Sequence, residues 1–239
     1  MSTTLDLDRF DVLSFDCYGT LIDWEAGLLA GLREALPDAA AEVDDDRLLE
    51  VYAAAEAALE GGPYLRYREI LRRGLDQVAE QLNAAVTPAQ RDAFGASVGD
   101  WPAFPDSKDA LARLATRYEL AVITNCDDDL FDMSNERLGR PFRHVVTAQQ
   151  VGAYKPSLRN FHVALERMAA PAERVLHVAQ SLYHDHVPAK RLGLASIWVN
   201  RRHDRPGSGA TPPAAQVEPD LIVTSMAQLA ELATSDGAR

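Results

Sequence analysis

Short apolar runs alternate with helical segments along the chain from residue 106 onward. The runs are Leu120 to Thr124, His144 to Thr147, Val175 to Ala179, Ser196 to Val199 and Leu221 to Thr224. Helices are predicted among them at 107–117, 128–138, 157–168 and 186–192. Runs that are apolar throughout fit a parallel sheet that helices cover on both faces. With an earlier run at residues 11–16, this alternation predicts an α/β fold.

The region between the first two runs is different, because it holds long Ala- and Leu-rich helical segments and no convincing strand. One helix is expected to begin at a cap residue, Asp46, and another at Thr87. We therefore expect a helical lobe of residues 22–99, inserted into a sheet domain made of residues 1–21 and 100–239.

The composition indicates a soluble protein that acts on a small molecule. Its formal net charge of -12 argues against unaided binding to nucleic acid or to anionic membranes, because both require Lys and Arg to neutralise phosphates. The sequence shows no signal-peptide pattern and no apolar run near the ~20 residues that span a bilayer. Two cysteines, Cys17 and Cys126, are too few for a disulfide framework and suit a reducing compartment. We therefore expect a cytoplasmic protein.

Polar side chains lie just beyond several predicted strands or in the loops that follow them. They are Asp16, Thr124, Asn125, Lys155 and the segment from Ser181 to Asp185. In parallel sheets, ligands bind beyond the carboxyl ends of the strands. We therefore expect these side chains to converge on one crevice.

Asp16 is the candidate nucleophile. An unpaired carboxylate at the end of a buried strand is costly to desolvate, whereas an attacking aspartate forms a covalent intermediate that divides one difficult step into two easier ones. Lys155 is the candidate partner that keeps Asp16 ionised. Thr20 supplies a hydroxyl for Asp16 or for a substrate oxygen. The simpler interpretation, in which Asp16 only caps the next helix, stays open.

Thr124 and Asn125 offer a hydroxyl and an amide beside a predicted helix N-terminus. They form either an anion-binding corner or a helix cap, and the local sequence supports the two roles about equally. Asp185 is expected to orient Lys155 or a water molecule, with Mg²⁺ coordination as the alternative role.

Two clusters raise the question of a metal. The acidic run at residues 127–129 is better explained by its place in a first helical turn, where it complements the helix dipole. The histidines at positions 177, 184 and 186 lack the further ligands that would complete a tetrahedral zinc site. No metal site is favoured on these grounds.

Four motifs occur in order along the chain: Asp16-Cys17-Tyr18-Gly19-Thr20, Thr124-Asn125, Lys155-Pro156 and the loop that ends at Asp185. In this order and spacing they resemble the haloacid dehalogenase superfamily, and within it the type II 2-haloacid dehalogenases. Four motifs in register are far more specific than one. The resemblance implies a Rossmann-like parallel-sheet core with an inserted helical cap domain, and it suggests a homodimer.

Tyr18 separates the chemistries within this superfamily. Its phosphatases usually carry a second Asp two positions after the nucleophile, where this chain has Tyr18. The resemblance therefore implies attack at carbon, in which Asp16 displaces halide from a 2-haloacid, a small organic acid, without a cofactor. Lys155 and Asp185 would complete the catalytic residues. The substrate-binding residues would be Tyr18, Thr20, Thr124, Asn125, Ser181 and Tyr183.

Two other functions stay open. A Mg²⁺-dependent phosphatase acting on a small phosphorylated metabolite would hold the ion with Asp16, the carbonyl of Tyr18, and Asp185. A non-catalytic small-molecule binding protein would keep the crevice without turnover.

Two positions depart from the type II dehalogenases. Those enzymes place an Arg on the first cap helix to hold the substrate carboxylate and halide, and no Arg occurs in the matching segment, residues 48–55. The candidates to replace it are Arg47, Arg66 and Arg68. The fourth motif usually has an Asn where this chain has Leu182, so Ser181 and Tyr183 are expected to supply the missing hydrogen bonds.

Overall fold

A six-stranded sheet forms the centre of the structure, a computed structural model that describes residues 5–204 and 216–234. The strands are β1 (Val12–Phe15), β2 (Glu119–Thr124), β3 (His144–Thr147), β4 (Val175–Ala179), β5 (Ala195–Val199) and β6 (Leu221–Val223). They lie in the order β3-β2-β1-β4-β5-β6, and every neighbouring pair is parallel. The predicted α/β fold with a Rossmann-like parallel-sheet core is confirmed.

Five α-helices lie in the region between β1 and β2 that is predicted to be an insertion. They are α1 (Trp24–Ala35), α2 (Pro37–Ala41), α3 (Asp45–Glu60), α4 (Tyr67–Gln81) and α5 (Pro88–Ala96). The remaining α-helices are α6 (Ser107–Leu114), α7 (Asp128–Arg137), α8 (Ala148–Val151), α9 (Leu158–Met168), α10 (Val187–Arg191) and α11 (Met226–Thr234). The domain boundaries at residues 22 and 99 stay a prediction.

β1 lies in the middle of the sheet, paired with β2 on one side and β4 on the other. Successive side chains of a strand point to opposite faces, and here each face has its own core. Leu13 packs into the larger core, which continues into the inserted helices, and Val12 packs into the smaller core on the opposite face. Because both faces are buried, the strand is apolar except for Ser14. It ends at Phe15, which places Asp16 at the carboxyl edge of the sheet.

Two helix starts are predicted in the insertion, and the structure confirms one cap residue and corrects the other. Asp46 was expected to cap α3, but Asp44 does so, because its carboxylate accepts the backbone N–H of Arg47. Asp46 lies in the first turn instead. The start at Thr87 is confirmed by a capping box, in which Thr87 and Gln90 bond each other's backbone N–H groups.

The helix predicted at residues 186–192 begins earlier than expected. A π-helical turn, Leu182–His186, is capped by Ser181 and leads into α10. The sequence also indicates a surface excursion over residues 201–220, but residues 205–215 lie outside the described part of the chain. In residues 5–204 and 216–234, no helix has the length and apolar character needed to cross a bilayer.

Candidate active site

The ammonium group of Lys155 lies at the carboxyl end of the sheet, between two carboxylates. Its Nζ donates to Asp16 Oδ1 at 2.8 Å and to Asp185 Oδ1 at 2.7 Å. A third hydrogen bond goes to the carbonyl of Ile123 at 2.8 Å. An ammonium carries three protons, so all of them are used, and only 1% of the side chain is exposed. Lys155 is therefore held in one position as the partner of both carboxylates.

Asp16 is held by hydrogen bonds to both carboxylate oxygens. Oδ1 accepts from Lys155, and Oδ2 accepts from the hydroxyl of Thr20 at 2.6 Å. Thr20 is fixed in turn, because its Oγ1 accepts the backbone N–H of Gln180 at 2.9 Å. Gly19 makes the turn before Thr20 with a φ of 88°, a conformation that favours glycine. The structure thus brings Asp16, Lys155 and Thr20 together.

The three charged groups shift one another's pKa values. Burial raises the pKa of Asp16, and Asp185 adds to this increase while Lys155 opposes it. Burial alone would raise the pKa of Asp185, but Lys155 and His177 outweigh it and hold that pKa well below its usual range. Burial also disfavours the charged form of Lys155, yet the two carboxylates overcome it and raise the pKa of the ammonium. One ammonium serves two carboxylates, so the cluster carries a negative charge when all three groups are ionised.

His177 supports this cluster from inside the sheet. It lies on β4 opposite Ser14 of β1, whose Oγ contacts His177 Nδ1 at 2.9 Å. The other ring nitrogen, Nε2, contacts Asp185 Oδ1 at 3.0 Å. The sequence indicates His177 only as a candidate zinc ligand and does not predict this role. The available signal was a histidine in the middle of a buried apolar run, since a buried imidazole needs polar partners.

Asn125 positions the backbone of Lys155. Its Oδ1 accepts the N–H of Lys155 at 2.7 Å, and its Nδ2 donates to the carbonyl of the same residue at 3.2 Å. Asn125 lines the cavity beside Asp16, but both ends of its amide are already engaged. Thr124 does not line that cavity, and its buried hydroxyl has no hydrogen-bond partner among the described residues. The predicted anion-binding corner requires both side chains to face the cavity with a free donor, and in this structure Thr124 lies outside the wall and the amide of Asn125 is engaged with Lys155.

Ser181 is part of the cavity wall, whereas Tyr183 is not. Ser181 lines the cavity, and its Oγ accepts the backbone N–H of His184 at 3.1 Å. Tyr183 is 41% exposed and is not part of the cavity wall. His184 does line the cavity, and burial lowers the pKa of its imidazole to about 4, so the ring is neutral at physiological pH.

A cavity of about 100 Å³ lies beside Asp16, between the sheet and the inserted helices. It has room for a small organic molecule, since one water needs about 10–15 Å³ on the same measure. The wall on the sheet side includes Asp16, Asn125, Lys155, Ser181 and Asp185. The wall on the helical side includes Trp24, Ala53, Glu56, Glu60 and Tyr67.

Glu56 and Glu60 of α3 are cavity residues that the sequence analysis missed. Glu56 Oε1 accepts the hydroxyl of Tyr67 at 2.9 Å and that of Tyr52 at 3.4 Å. Burial raises the pKa of Glu56 to about 7. Burial and the neighbouring Glu56 raise the pKa of Glu60 well above its usual range. The available signal was two glutamates four residues apart in an Ala-rich helix, which share one face.

None of the three arginines considered as substrate ligands lines this cavity. Arg47 and Arg66 are exposed, and Arg47 pairs with Glu50 on the surface. Arg68 forms an ion pair with Asp129 at 2.6 Å. In the part of the chain that the structure describes, Lys155 is the only lysine or arginine in the cavity wall.

A family model of haloacid dehalogenase-like hydrolases matches residues 10–191, which is most of the chain. The chain belongs to the haloacid dehalogenase-like hydrolases.

Relatives of this haloacid dehalogenase-like hydrolase include both dehalogenases and phosphatases. It is 26% identical over 194 residues to (S)-2-haloacid dehalogenase H-109 of Pseudomonas putida, covering 79% of this chain and 84% of that protein. It is 27% identical over 248 residues to 5-amino-6-(5-phospho-D-ribitylamino)uracil phosphatase YigB of Escherichia coli strain K12, covering 95% of this chain and 97% of that protein. The structure of L-2-haloacid dehalogenase from Xanthobacter autotrophicus matches with a TM-score of 0.79 at 18% identity, covering 96% of this chain and all of that one. At that identity the structural match establishes the fold.

Tyr18 of this haloacid dehalogenase-like hydrolase lines the cavity at the position of the usual phosphatase Asp. Its hydroxyl contacts Ser134 Oγ at 3.1 Å and accepts a hydrogen bond from the thiol of Cys126 at 3.4 Å. Burial raises the pKa of Tyr18 well above its usual range, so the phenol stays neutral. Tyr18 therefore offers the cavity a ring and a neutral hydroxyl in place of a carboxylate.

A Mg²⁺ ion would find two carboxylates at this site. Asp185 Oδ2 is buried and has no hydrogen-bond partner among the described residues, and Asp16 lines the same cavity. Proteins usually bind Mg²⁺ through one or two carboxylates, with waters and substrate phosphates as the other ligands. The residues present therefore fit Mg²⁺. Within the described ranges, no group of three or more His, Cys, Asp or Glu is arranged to hold a metal.

Proposed function

We propose that this haloacid dehalogenase-like hydrolase cleaves the carbon–halogen bond of a small organic molecule, with Asp16 as nucleophile. The main support is the 2.8 Å contact between Lys155 Nζ and Asp16 Oδ1 at the wall of the cavity. An adjacent ammonium favours the ionised form of a carboxylate, which is the form that attacks. The (S)-2-haloacid dehalogenase relatives are in line with this reaction.

In the first step, a carboxylate oxygen of Asp16 attacks the carbon that carries the halogen. A carbon–oxygen bond forms while the carbon–halogen bond breaks, and the halide leaves with the bonding electron pair. The product is an ester between Asp16 and the substrate. Lys155 and Thr20 hold the attacking carboxylate in a fixed orientation, which lowers the entropic part of the barrier.

In the second step, water attacks Cγ of the Asp16 ester. Lys155 and Thr20 donate to the oxygens of Asp16 and would stabilise the negative charge that develops there. Asp185 Oδ2 has no other partner and is available to accept a hydrogen bond from the water. Cleavage of the ester transfers one proton of the water to the departing alkoxide to give the alcohol, the second proton is released to solvent, and the carboxylate of Asp16 is restored.

Tyr18 favours attack at carbon over attack at phosphorus. A phosphatase mechanism needs a group that protonates the leaving alcohol, and a neutral phenol with a raised pKa is a weak acid for that purpose. Halide leaves without a proton, so the proposed reaction does not require an acid at this position.

The predicted carboxylate group of the substrate finds no unengaged lysine or arginine among the described residues of this cavity. All three protons of Lys155 are used, and no arginine lines the described part of the cavity wall. The proposed reaction is therefore carbon–halogen cleavage in a small molecule that does not have to be an acid.

A Mg²⁺-dependent phosphatase is the second candidate. Its support is the unpartnered Asp185 Oδ2 and the presence of phosphatases among the relatives. Asp16, the carbonyl of Tyr18, and Asp185 would hold the ion, which would supply positive charge to a phosphate group.

Single turnover in H₂¹⁸O tests the proposal. We expect ¹⁸O in the carboxylate of Asp16, detected by mass spectrometry of the peptide that contains it, and no label in Asp16→Asn. The substrates are 2-chloropropionate, its neutral amide and p-nitrophenyl phosphate, each with Mg²⁺ and with EDTA. Halide release that is insensitive to EDTA supports the dehalogenase-like reaction. Phosphate release that EDTA abolishes would replace it with the phosphatase, and binding without turnover would indicate a non-catalytic protein.

A further inference from the structure

The helical wall of the cavity carries two carboxyl groups that the proposed reaction does not use. Glu56 and Glu60 are one helical turn apart on α3, so they project from the same face of the helix. Both line the cavity whose opposite wall contains Asp16 and Asp185. Four carboxyl groups thus face one small space, and Lys155 is the only lysine or arginine among the described residues that line it.

These two glutamates have few partners of their own. Glu56 receives two phenol hydrogen bonds, both on Oε1, which leaves Oε2 without a bond. Glu60 makes no hydrogen bond or ion pair within the described part of the chain. A carboxylate that is partly removed from water without a cation is unfavourable. The raised pKa values of both groups express that cost, and a bound cation would remove it.

Two further observations point to a ligand in the same cavity. Asp185 is 1% exposed, and its Oδ2 has no hydrogen-bond partner among the residues that the structure describes. The wall beside the glutamates also contains the rings of Trp24, Tyr18 and Tyr67. Aromatic rings next to carboxylates attract cationic nitrogen, because the ring face is negative.

We infer that the substrate of this cavity carries a cationic nitrogen, such as a primary ammonium, which binds between Glu56 and Glu60 while its reacting carbon faces Asp16. This inference rests on the proposed function in one respect, because it takes the cavity beside Asp16 as the substrate site. The cavity volume of about 100 Å³ restricts the substrate to a small amine. A carboxylate or phosphate group in the same place would meet like charges.

The opposite assignment is that both glutamates stay protonated and donate hydrogen bonds to an anion. The two assignments differ in their dependence on pH. A cation binds more tightly as Glu56 ionises near its pKa of about 7, so its affinity should increase between pH 6 and pH 8, whereas the affinity of an anion should decrease. The other titratable groups that line this space are Asp16, Tyr18, Tyr67, Lys155, His184 and Asp185, and Tyr52, which is not part of the wall, bonds to Glu56. Burial keeps the tyrosines and His184 neutral in this range.

Calorimetric binding of propylammonium and of propionate to the full chain tests the inference. We expect propylammonium to bind and propionate to bind at least about tenfold more weakly. Glu56→Gln and Glu60→Gln should each weaken propylammonium binding, and the double variant should weaken it by about tenfold or more. Glu50→Gln is the matched control, because Glu50 lies on the same helix but is exposed and paired with Arg47. Circular dichroism of each variant establishes that it is folded.

Four outcomes would each overturn the inference. Propylammonium could fail to bind, or propionate could bind more tightly than propylammonium. The affinity for propylammonium could fall as the pH rises, or it could be equal in all variants. Glu60→Arg reverses the charge at this position, and this variant should therefore bind propionate. The ¹⁸O label in Asp16 is measured separately, in single turnover of 3-chloropropylammonium, which carries both the cationic nitrogen and a carbon–halogen bond. Label without propylammonium binding rejects the substrate class and keeps the nucleophile, whereas propylammonium binding without label or turnover rejects the nucleophile and keeps the cation site.

Discussion

Asp127, in the loop that follows β2, caps the first turn of α4 through the backbone of Tyr67. Its Oδ1 accepts the N–H of Tyr67 and its Oδ2 accepts the N–H of Arg68, both at 3.0 Å. Arg66, at the N-cap position of α4, provides no side-chain cap. The sequence analysis assigned Asp127 to the first turn of α7, but its carboxylate serves a helix of the insertion. Because Tyr67 also bonds to Glu56, this cap connects a sheet loop with the acidic wall of the cavity.

Replacement of this cap should destabilise the protein. We expect Asp127→Ala to lower the free energy of unfolding by about 0.5–2 kcal/mol, the usual cost of losing an N-cap. It should also reduce turnover, because the wall that carries Glu56 loses its connection to the sheet. Urea denaturation and steady-state kinetics measure the two effects. Asp129→Ala is the control, since its exposed ion pair with Arg68 contributes at most about 1 kcal/mol. Equal effects in the two variants would contradict the role of Asp127.

Removal of the buried ammonium should be the most damaging single change at the site. Lys155→Met leaves Asp16 and Asp185 buried together without a cation, and breaking a buried pair in this way typically costs about 3–5 kcal/mol. We expect loss of turnover and a smaller loss of stability at pH 5 than at pH 8, because protonation of either carboxyl relieves the repulsion. Denaturation of Lys155→Met at both pH values measures this. Lys108→Met, an exposed lysine, should change neither quantity, and a pH-independent loss at position 155 would argue against charge as the cause.

Glu56 should make the stability of the protein depend on pH. Its pKa is about 7 in the folded state, against 4.5 for an unperturbed Glu. Between these values the folded chain binds a proton that the unfolded chain has lost, so the free energy of unfolding falls as pH rises from about 4.5 to about 7. Glu56→Gln should therefore be more stable than the wild type at pH 8, by about 1–3 kcal/mol, and similar to it at pH 4. Thermal and urea unfolding across this range measures the difference. The exposed control Glu50→Gln should follow the wild-type curve, and a Glu56→Gln curve parallel to it would refute the assignment.

Replacement of Asn125 should lower kcat strongly, although it should lower the free energy of unfolding only modestly. In Asn125→Ala the backbone N–H of Lys155 loses its acceptor, at a cost of about 1–3 kcal/mol, and the ammonium is no longer fixed against Asp16. A displacement of this kind typically lowers kcat by about 10–100-fold. Asn160→Ala is the matched control, because Asn160 donates to the carbonyl of Ala153 in the same loop without touching Lys155. A similar fall of kcat in both variants would mean that the loop as a whole, and not Asn125, positions the lysine.

The convergence of Asp16, Lys155 and Asp185 was predictable without coordinates. Continuous apolar strands that alternate with helices form a parallel sheet, and the carboxyl ends of parallel strands share one edge. Residues that follow β1, β3 and β4 therefore had to lie near each other, whatever the details of packing. The same reasoning could not orient individual side chains. Thr124 is not part of the cavity wall and Tyr183 is exposed, although both occupy the expected edge.

The sequence by itself determined the α/β fold, the presence of a helical insertion and the group of residues from which a nucleophile and its lysine would come. These follow from periodicity and from the position of polar residues after strands, which are local properties of the chain. Only the tertiary structure decided that Glu56 and Glu60 face Asp16, that His177 supports Asp185 and that Asp127 caps α4. Each of these depends on how the insertion packs against the sheet or how two strands pair, and a tertiary contact such as that between Asp127 and Tyr67, 60 positions apart, leaves no periodic signal in the sequence.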